Sequence, residues 1–335
     1  MGKSVTMDDI ARAAGVSRGA VSLALRGSPK ISAKRTKQIL DVAKDLGYRV
    51  NMNASRLAQA TPNTFGVMVS DLHNPITADI LDGFVQGEQQ QQEFDMHLCA
   101  GFNSADRERV AVNSLLAHRV RGVVLIGSLL DQKEIQELAQ TVPTVVVGRQ
   151  IPGLDCVYVN SELGGRLAAK HLTGLGHKRL AHVSGGTGAG AARRAAAFEQ
   201  TARNATGVEV QSLEGDYTQK GGYLGAQILL SRDAPPTAIF AANDLMALGV
   251  LGAAHQLGLS IGSDISVMGF DDISLTSNEF VSLTTITYPR LNMGTEARAL
   301  LQRRCESPEL PESIVELTPS LIVRESTGAY GRTSK

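Results

Sequence analysis

The spacing of apolar positions changes period once along the chain. Up to about residue 50 the apolar side chains recur three and four apart: Ile10, Ala14, Val16, Val21 and Leu25, then Ile39, Val42, Ala43 and Leu46. That spacing predicts three short helices. Thr6 stands in a cap position with Asp9 three residues on, Gly15 stops the first helix, and Ser17 caps the second at once. The third helix runs from Ser32 to Gly47. Two helices around so tight a corner, with a third beside them, make a helix-turn-helix module.

From Thr64 onward short apolar runs alternate with amphipathic stretches. Strands are predicted at 65–69, 95–99, 122–126 and 144–147, with helices at 78–92 and 107–117 between them. The alternation then restarts, with helices at 166–175, 192–204, 220–230 and 246–257 separated by strands at 179–183, near 210, at 238–241 and at 265–268. Such runs predict parallel sheets covered on both faces. The expected fold is a small all-α headpiece followed by an α/β body of two doubly wound lobes. Ligands in these sheets sit outside the carboxyl ends of the strands. That rule points to the loops at 71–75, 127–128, 148–149, 185–194, 243–244 and 271–272.

Charge sharpens the division. The whole chain carries 33 basic and 33 acidic side chains, yet residues 1–60 hold 11 Lys and Arg against 4 Asp and Glu, leaving 22 against 29 elsewhere. A basic head on an acidic body is the electrostatic footprint of a nucleic-acid-binding module. The 335 residues, 43% of them apolar, suffice for two or three domains. There is no apolar run near twenty residues and no signal-peptide stretch, which predicts a cytoplasmic chain without membrane contact. Cys99, Cys156 and Cys305 are odd in number and far apart, so reduced thiols without a metal are expected. No nucleophile–base pairing emerges from the seven histidines, and neither catalysis nor a cofactor is expected. His177, just after Gly176, reads as part of a helix cap region. The run Gly186-Thr187-Gly188-Ala189-Gly190-Ala191 fits a dinucleotide fingerprint, but no convincing acid about twenty residues on supports that use. It reads as a ligand-facing loop.

Several blocks of residues resemble the lactose-repressor (LacI/GalR) family of bacterial transcription regulators. They are Val5-Thr6, Asp9-Ile10-Ala11, Ala14-Gly15-Val16-Ser17, Val21-Ser22 and Leu46-Gly47-Tyr48, then Ala242 to Gly249, Asp264 to Asp272, and Leu283 to Ile286. The resemblance spans about 325 residues. It implies a headpiece at 1–50, a hinge at 51–62 and a periplasmic-binding-protein-like body at 63–335. Within that body it implies an N-lobe of about 63–160 and 289–319 and a C-lobe of about 161–288 and 320–328, with crossings near Asn160, Tyr288 and Pro319. It further implies a homodimeric repressor that binds a near-palindromic operator in double-stranded DNA and is switched by a small-molecule effector, a sugar or sugar derivative. A nucleobase effector is the alternative, and a small-molecule-binding protein without a DNA role is a more distant one. The segment after Glu325 lacks leucine heptads, so a dimer is expected.

The DNA-facing set that follows is Thr6, Ser17, Arg18, Gly19, Ser22 and Leu23 in the headpiece, with Asn51, Ala54 and Leu57 in the hinge. Ser17 and Ser22 suit phosphates, Leu23 a thymine methyl, and Arg18 either a bidentate pair with guanine or a phosphate. A helix at 53–59 is too short to stand alone in water. The resemblance has it form on DNA, with Leu57 wedging a base step; Val50 replaces the family's usual proline. The effector set is Asn74, Ile76, Thr77, Arg194, Tyr217, Asn243, Asp271 and Tyr288. Ile76 and Thr77 stand where aromatics are common, and Ala197 replaces a usual glycine. With no tryptophan in the chain, Tyr217 and Tyr288 supply the aromatic faces. Arg194 has a competing reading as a surface partner of Glu199, and Asn243-Asp244 as a helix cap. Between Asp271 and Asp272 the sequence does not choose.

Overall fold

Strong local signals open the headpiece. The structure is a computed structural model that describes residues 5–25, 28, 30–48, 64–86, 94–186, 188 and 190–331. The chain divides into two units, Met1–Pro62 and Asn63–Lys335. In the first, α1 (Met7–Ala14) begins at a complete capping box: the Asp9 amide donates to Thr6 Oγ1 at 3.3 Å and the Thr6 amide donates to Asp9 Oδ2 at 2.9 Å. Gly15 ends the helix at φ 65°, a left-handed conformation that a side chain would strain. Helix α2 (Arg18–Leu25) follows at once, and the Ser17 hydroxyl accepts the Ala20 amide at 3.2 Å. Helix α3 (Ala33–Asp45) closes the module over Ile10, Val21 and Ile39, all fully buried. The predicted three-helix module is present.

The body begins with β1 (Thr64–Val69), α4 (Pro75–Gln86), β2 (Asp95–Ala100), α5 (Ala105–Ala117), β3 (Gly122–Ile126), α6 (Gln132–Thr141), β4 (Thr144–Val147) and β5 (Asp155–Val159). The chain continues through α7 (Ser161–Gly174), β6 (Arg179–Ser184), α8 (Ala191–Arg203), β7 (Glu209–Glu214), α9 (Gln219–Leu230), β8 (Ala238–Ala241), α10 (Asp244–Gln256) and β9 (Ser266–Met268). A 3-10 turn (Ser274–Ser277), β10 (Thr285–Thr287), α11 (Arg290–Glu306), β11 (Ile314–Leu317) and β12 (Ser320–Ile322) complete it.

Two parallel sheets result. One has the order β11-β5-β4-β3-β1-β2 and the other β7-β6-β8-β9, while β10 and β12 pair antiparallel. Strands β1, β3 and β4 are buried along their whole length, as their unbroken apolar runs predict. The polypeptide passes between the two sheets after β5, returns from β10 into α11, which packs on α4 and β4, and leaves again between β11 and β12. Helices α4 and α11 cross at backbone contact: a Cβ built on Gly83 would lie 1.9 Å from the Leu291 carbonyl oxygen, and one on Gly294 1.9 Å from that of Ile80.

Several boundaries differ from expectation. Helix α4 starts at Pro75 rather than 78, and the part of the predicted helix beyond Gln86 lies outside the described residues. Helix α7 starts at Ser161 rather than 166, because the Asn160 side chain caps it by accepting the Leu163 amide at 2.8 Å. Helix α6 went unpredicted although Asp131 and Glu134 form a full capping box before it. Helix α11 buries Met293, Gly294, Ala297, Arg298, Leu300 and Leu301, and these do not make one apolar stripe in the sequence.

Candidate nucleic-acid interface and effector cleft

In the headpiece the turn dictates what is left outside. Since Val21 and Ala24 of α2 face the core, its first residues face away, and Ser17, Arg18 and Gly19 form one exposed run. A side chain at Gly19 would meet only the Ser17 hydroxyl, 3.8 Å away, so the surface there is open. Arg18 Nε lies 3.9 Å from Asp8 Oδ1, a loose, solvated pair that leaves the guanidinium available. Ser22 and Leu23 are half-buried beside it. Thr6 is exposed, but its hydroxyl donates to Asp9 at 2.7 Å within the cap. Lys34, Arg35, Lys37 and Lys44 add exposed positive charge on α3. Asn51, Ala54 and Leu57 lie outside the described residues.

In the body, a cavity of about 140 Å³ opens at the carboxyl ends of the strands, between the two sheets. Six of the eight predicted effector residues line it: Ile76, Thr77, Arg194, Tyr217, Asp271 and Tyr288. Arg194 is 4% exposed, which excludes the reading of it as a surface partner of Glu199; Glu199 instead meets the Ser212 hydroxyl and Arg203. The Arg194 guanidinium lies flat over the Phe270 ring, 3.3 Å from its centroid, and one of its nitrogens donates to the Ala242 carbonyl. Its Nε is buried with no partner among the described residues. Tyr217 is hydrogen-bonded to Arg194.

Asp271 and Tyr288 form the other polar corner. The Tyr288 hydroxyl donates to Asp271 Oδ1 at 2.9 Å, and burial pushes the Asp271 carboxyl up to about 6 even though Arg194 and the Tyr288 hydrogen bond favour its charged form. Burial and the neighbouring Asp271 likewise push the Tyr288 phenol well above its usual value. Asp272 faces elsewhere, accepting from Arg324 at 2.7 Å and from the Thr276 hydroxyl at 3.1 Å. Of the two neighbours, Asp271 lines the cavity and Asp272 does not. Arg290 locks that loop from behind, with Nε on Asp79 of α4 at 2.6 Å and Nη1 donating to the Asp271 carbonyl at 2.5 Å.

Two predicted residues do not line the cavity. The Asn243 side chain accepts the Met246 amide at 2.9 Å as the cap of α10 and donates to the Tyr217 carbonyl at 3.3 Å, so its capping reading holds. Asn74 accepts the Ile76 amide at 3.2 Å and shapes the start of α4. Asp71, Asn103 and Met293 do line the cavity and were not singled out. Asp71 lay in a strand-end loop already marked, whereas Met293 on α11 carried no strand-end signal. The glycine-rich loop after β6 is explained by packing: a Cβ on Gly185 or Gly188 would lie 2.2 or 2.1 Å from the Tyr217 ring. Glu214 does end the following strand β7, but the ring fills the space a pyrophosphate would need. His177 closes the end of α7 as expected, its amide donating to the Leu172 carbonyl at 3.3 Å, and its buried ring meets the Thr237 hydroxyl at 3.0 Å and Ser266 at 2.9 Å. The three cysteines are free, and no group of metal-binding side chains occurs among the described residues.

A two-lobed α/β body with a polar-cornered, apolar-walled cleft, carried on a chain that begins with a basic helix-turn-helix unit, defines a ligand-responsive DNA-binding regulator. Residues 6–51 match the family described as bacterial regulatory proteins, lacI family, and residues 169–327 match a periplasmic binding protein-like domain. The chain is 30% identical over 332 residues to catabolite control protein A of Priestia megaterium, covering 97% of this chain and 99% of that protein. It is 31% identical over 327 residues to the ribose operon repressor of Haemophilus influenzae, covering 96% and 98%. Among solved structures it is similar to the lac repressor dimer bound to operator and the anti-inducer ONPF, at a TM-score of 0.84 and 28% identity, covering 98% of this chain and 100% of that one. The chain belongs to the lacI family of bacterial regulatory proteins and is a DNA-binding transcriptional regulator.

Proposed function

We propose that this regulator is a homodimeric repressor of a near-palindromic operator, controlled by a sugar or sugar derivative bound in the cleft of its body. The observation that carries the effector reading is the buried set Arg194, Asp271 and Tyr288 facing apolar walls and the Tyr217 ring. A guanidinium, a carboxylate and a phenol hold vicinal hydroxyls by directed hydrogen bonds, while an aromatic face covers C–H surface. The base-reading positions are Arg18, Gly19 and Leu23, with Ser17 and Ser22 on phosphates, Thr6 at the same face, and Asn51, Ala54 and Leu57 in the hinge between residues 51 and 62. One headpiece reads one half-site, so two copies are needed. Exposed apolar side chains are available for self-association: Leu224 and Ile228 on α9 are about half exposed and Phe280 is 97% exposed. The protein works in the cytoplasm, without a cofactor and without catalysis; no helix among the described residues is long and apolar enough to cross a membrane.

Effector closure of the lobes then alters operator affinity through a coupling of about 1–3 kcal/mol. Selection from random duplex DNA tests the DNA side: an inverted repeat carrying two chains is expected, and Arg18→Ala relaxes the preference at one position of each half-site. Uniform weakening with unchanged preference would remove Arg18 from base reading. Thermal melting against sugars and nucleosides tests the effector: a sugar at 100 times its dissociation constant adds about 2.7 kcal/mol. Stabilisation by a nucleobase and by no sugar overturns the carbohydrate reading.

A further inference from the structure

A second, larger chamber of about 320 Å³ adjoins the cavity just described, sharing Gly148, Val159 and Gly188 with its wall. The inner chamber is mainly apolar apart from the corners made by Arg194 and by Asp271 with Tyr288. The outer one is lined by charged and polar side chains, among them Arg149, Arg193, Glu162, Glu316, Asn160 and Tyr158. Counted by charge alone it is balanced, with two arginines and two glutamates.

Its hydrogen-bonding capacity is not balanced. Glu316 accepts from the Asn160 side-chain amide at 2.9 Å, the Tyr158 hydroxyl donates to Gln150 at 3.5 Å, and Glu162 forms a solvated pair with Arg166 at 3.6 Å. The Asn160 side-chain oxygen accepts the Leu163 amide. The donors are not spent. Arg193 is exposed and has no hydrogen bond or ion pair among the described residues. Arg149 places one nitrogen on the Leu130 carbonyl, and its Nε is buried with no partner among the described residues. The first turn of α8 opens onto the same chamber, and its Gly190 cap makes no side-chain hydrogen bond to it.

A chamber that presents the unpaired Arg193 guanidinium, with the unpartnered Nε of Arg149 behind it, suits a ligand group made of acceptors. We propose that the effector is bipartite: a polyol in the inner chamber joined to an anionic oxygen cluster, phosphate or carboxylate, read in the outer chamber by Arg193 with Arg149 behind it. This rests on the reading of the cleft as a sugar site and narrows that reading to sugar phosphates or sugar acids. Arg193 adjoins Arg194 in the chain, so one helical turn serves both chambers, with Arg194 facing inward and Arg193 outward. Charge-assisted pairs with an oxyanion are the strong class of hydrogen bond and require the planar fork that arginine provides.

The test is calorimetric titration of the full chain with hexose and pentose phosphates, the matching free sugars, the matching sugar acids and inorganic phosphate. A phosphorylated or acidic sugar is expected to bind tighter than its neutral parent, and Arg193→Ala is expected to shrink that ratio by about tenfold or more. Arg193 is on the surface, and an unchanged melting temperature confirms that the variant folds. Which anionic series binds distinguishes phosphate from carboxylate. A neutral sugar that binds as tightly as its anionic derivatives, or a ratio that Arg193→Ala leaves intact, overturns the bipartite effector and spares the sugar site. Binding of inorganic phosphate alone, equal in wild type and variant, also overturns it. Failure of every sugar, neutral or charged, alongside binding of a nucleobase removes both readings.

Discussion

Asp271 and Asp272 are neighbours in sequence with different roles. Both have left-handed backbone, at φ 115° and 56°, and these two torsions send one carboxylate into the cleft and the other to Arg324. No pattern of residue types encodes that split, which is why the sequence left it open. Burial raises the Asp271 carboxyl to about 6, so between roughly pH 4 and 6 the folded state holds a proton that the unfolded state has lost. Stability therefore falls as pH rises through that window. Asp271→Asn removes the cost of a buried charge and is expected to raise stability at pH 7.5 by about 1–3 kcal/mol while weakening effector binding. Melting curves and titrations at pH 5 and 7.5 check both; a variant less stable at pH 7.5 than wild type contradicts the assignment. Arg194 was legible as a candidate from its place after a strand, but its burial was not, because the stacking on Phe270 joins residues 76 positions apart.

At the scale of elements, legibility followed how local each signal is. Helices α1 to α3 were found because caps and spacing act within a turn or two. Helix α11 was missed because its burial comes from α4 and β4, distant in sequence, and its contact needs glycine rather than an apolar stripe. Gly294→Ala sets two effects against each other. Alanine gains about 1 kcal/mol of helix propensity, but its Cβ would sit 1.9 Å from the Ile80 carbonyl oxygen, and backbone cannot rotate aside as a side chain does. Overpacking is expected to win, with a net loss of about 1–3 kcal/mol. Because α4 carries Ile76 and Thr77, effector affinity falls with it. Gly174→Ala is the control, since nothing lies within 4 Å of a Cβ there; an equal loss in both variants by chemical denaturation would argue against the crossing as the cause.

The whole molecule is electrically polar along its sequence, with the basic excess in residues 1–60 and the acidic excess after them. Operator binding is expected to weaken linearly with the logarithm of salt concentration, by roughly 10³ to 10⁵ between 50 and 200 mM for six to ten phosphate contacts. Fluorescence anisotropy over that range measures the slope, and a flat line would exclude the headpiece as the anchor. The two-lobe plan was readable in the restarted strand–helix alternation. The passages between lobes were known only through family resemblance, since nothing local marks where a strand joins a distant sheet. Those passages also bear on how the protein is made. Strand β11 completes the first sheet beside β5, although 154 residues separate Val159 from Ile314. As the chain leaves the ribosome, β1 to β5 emerge early but stand with an open edge until residue 317 follows, and β12 joins β10 later still. Synthesis thus leaves that edge unpaired from residue 159 to residue 317, close to half of the chain. Slow codons or chaperone capture during the second half of translation would affect the yield of this regulator more than the same delay in the first half.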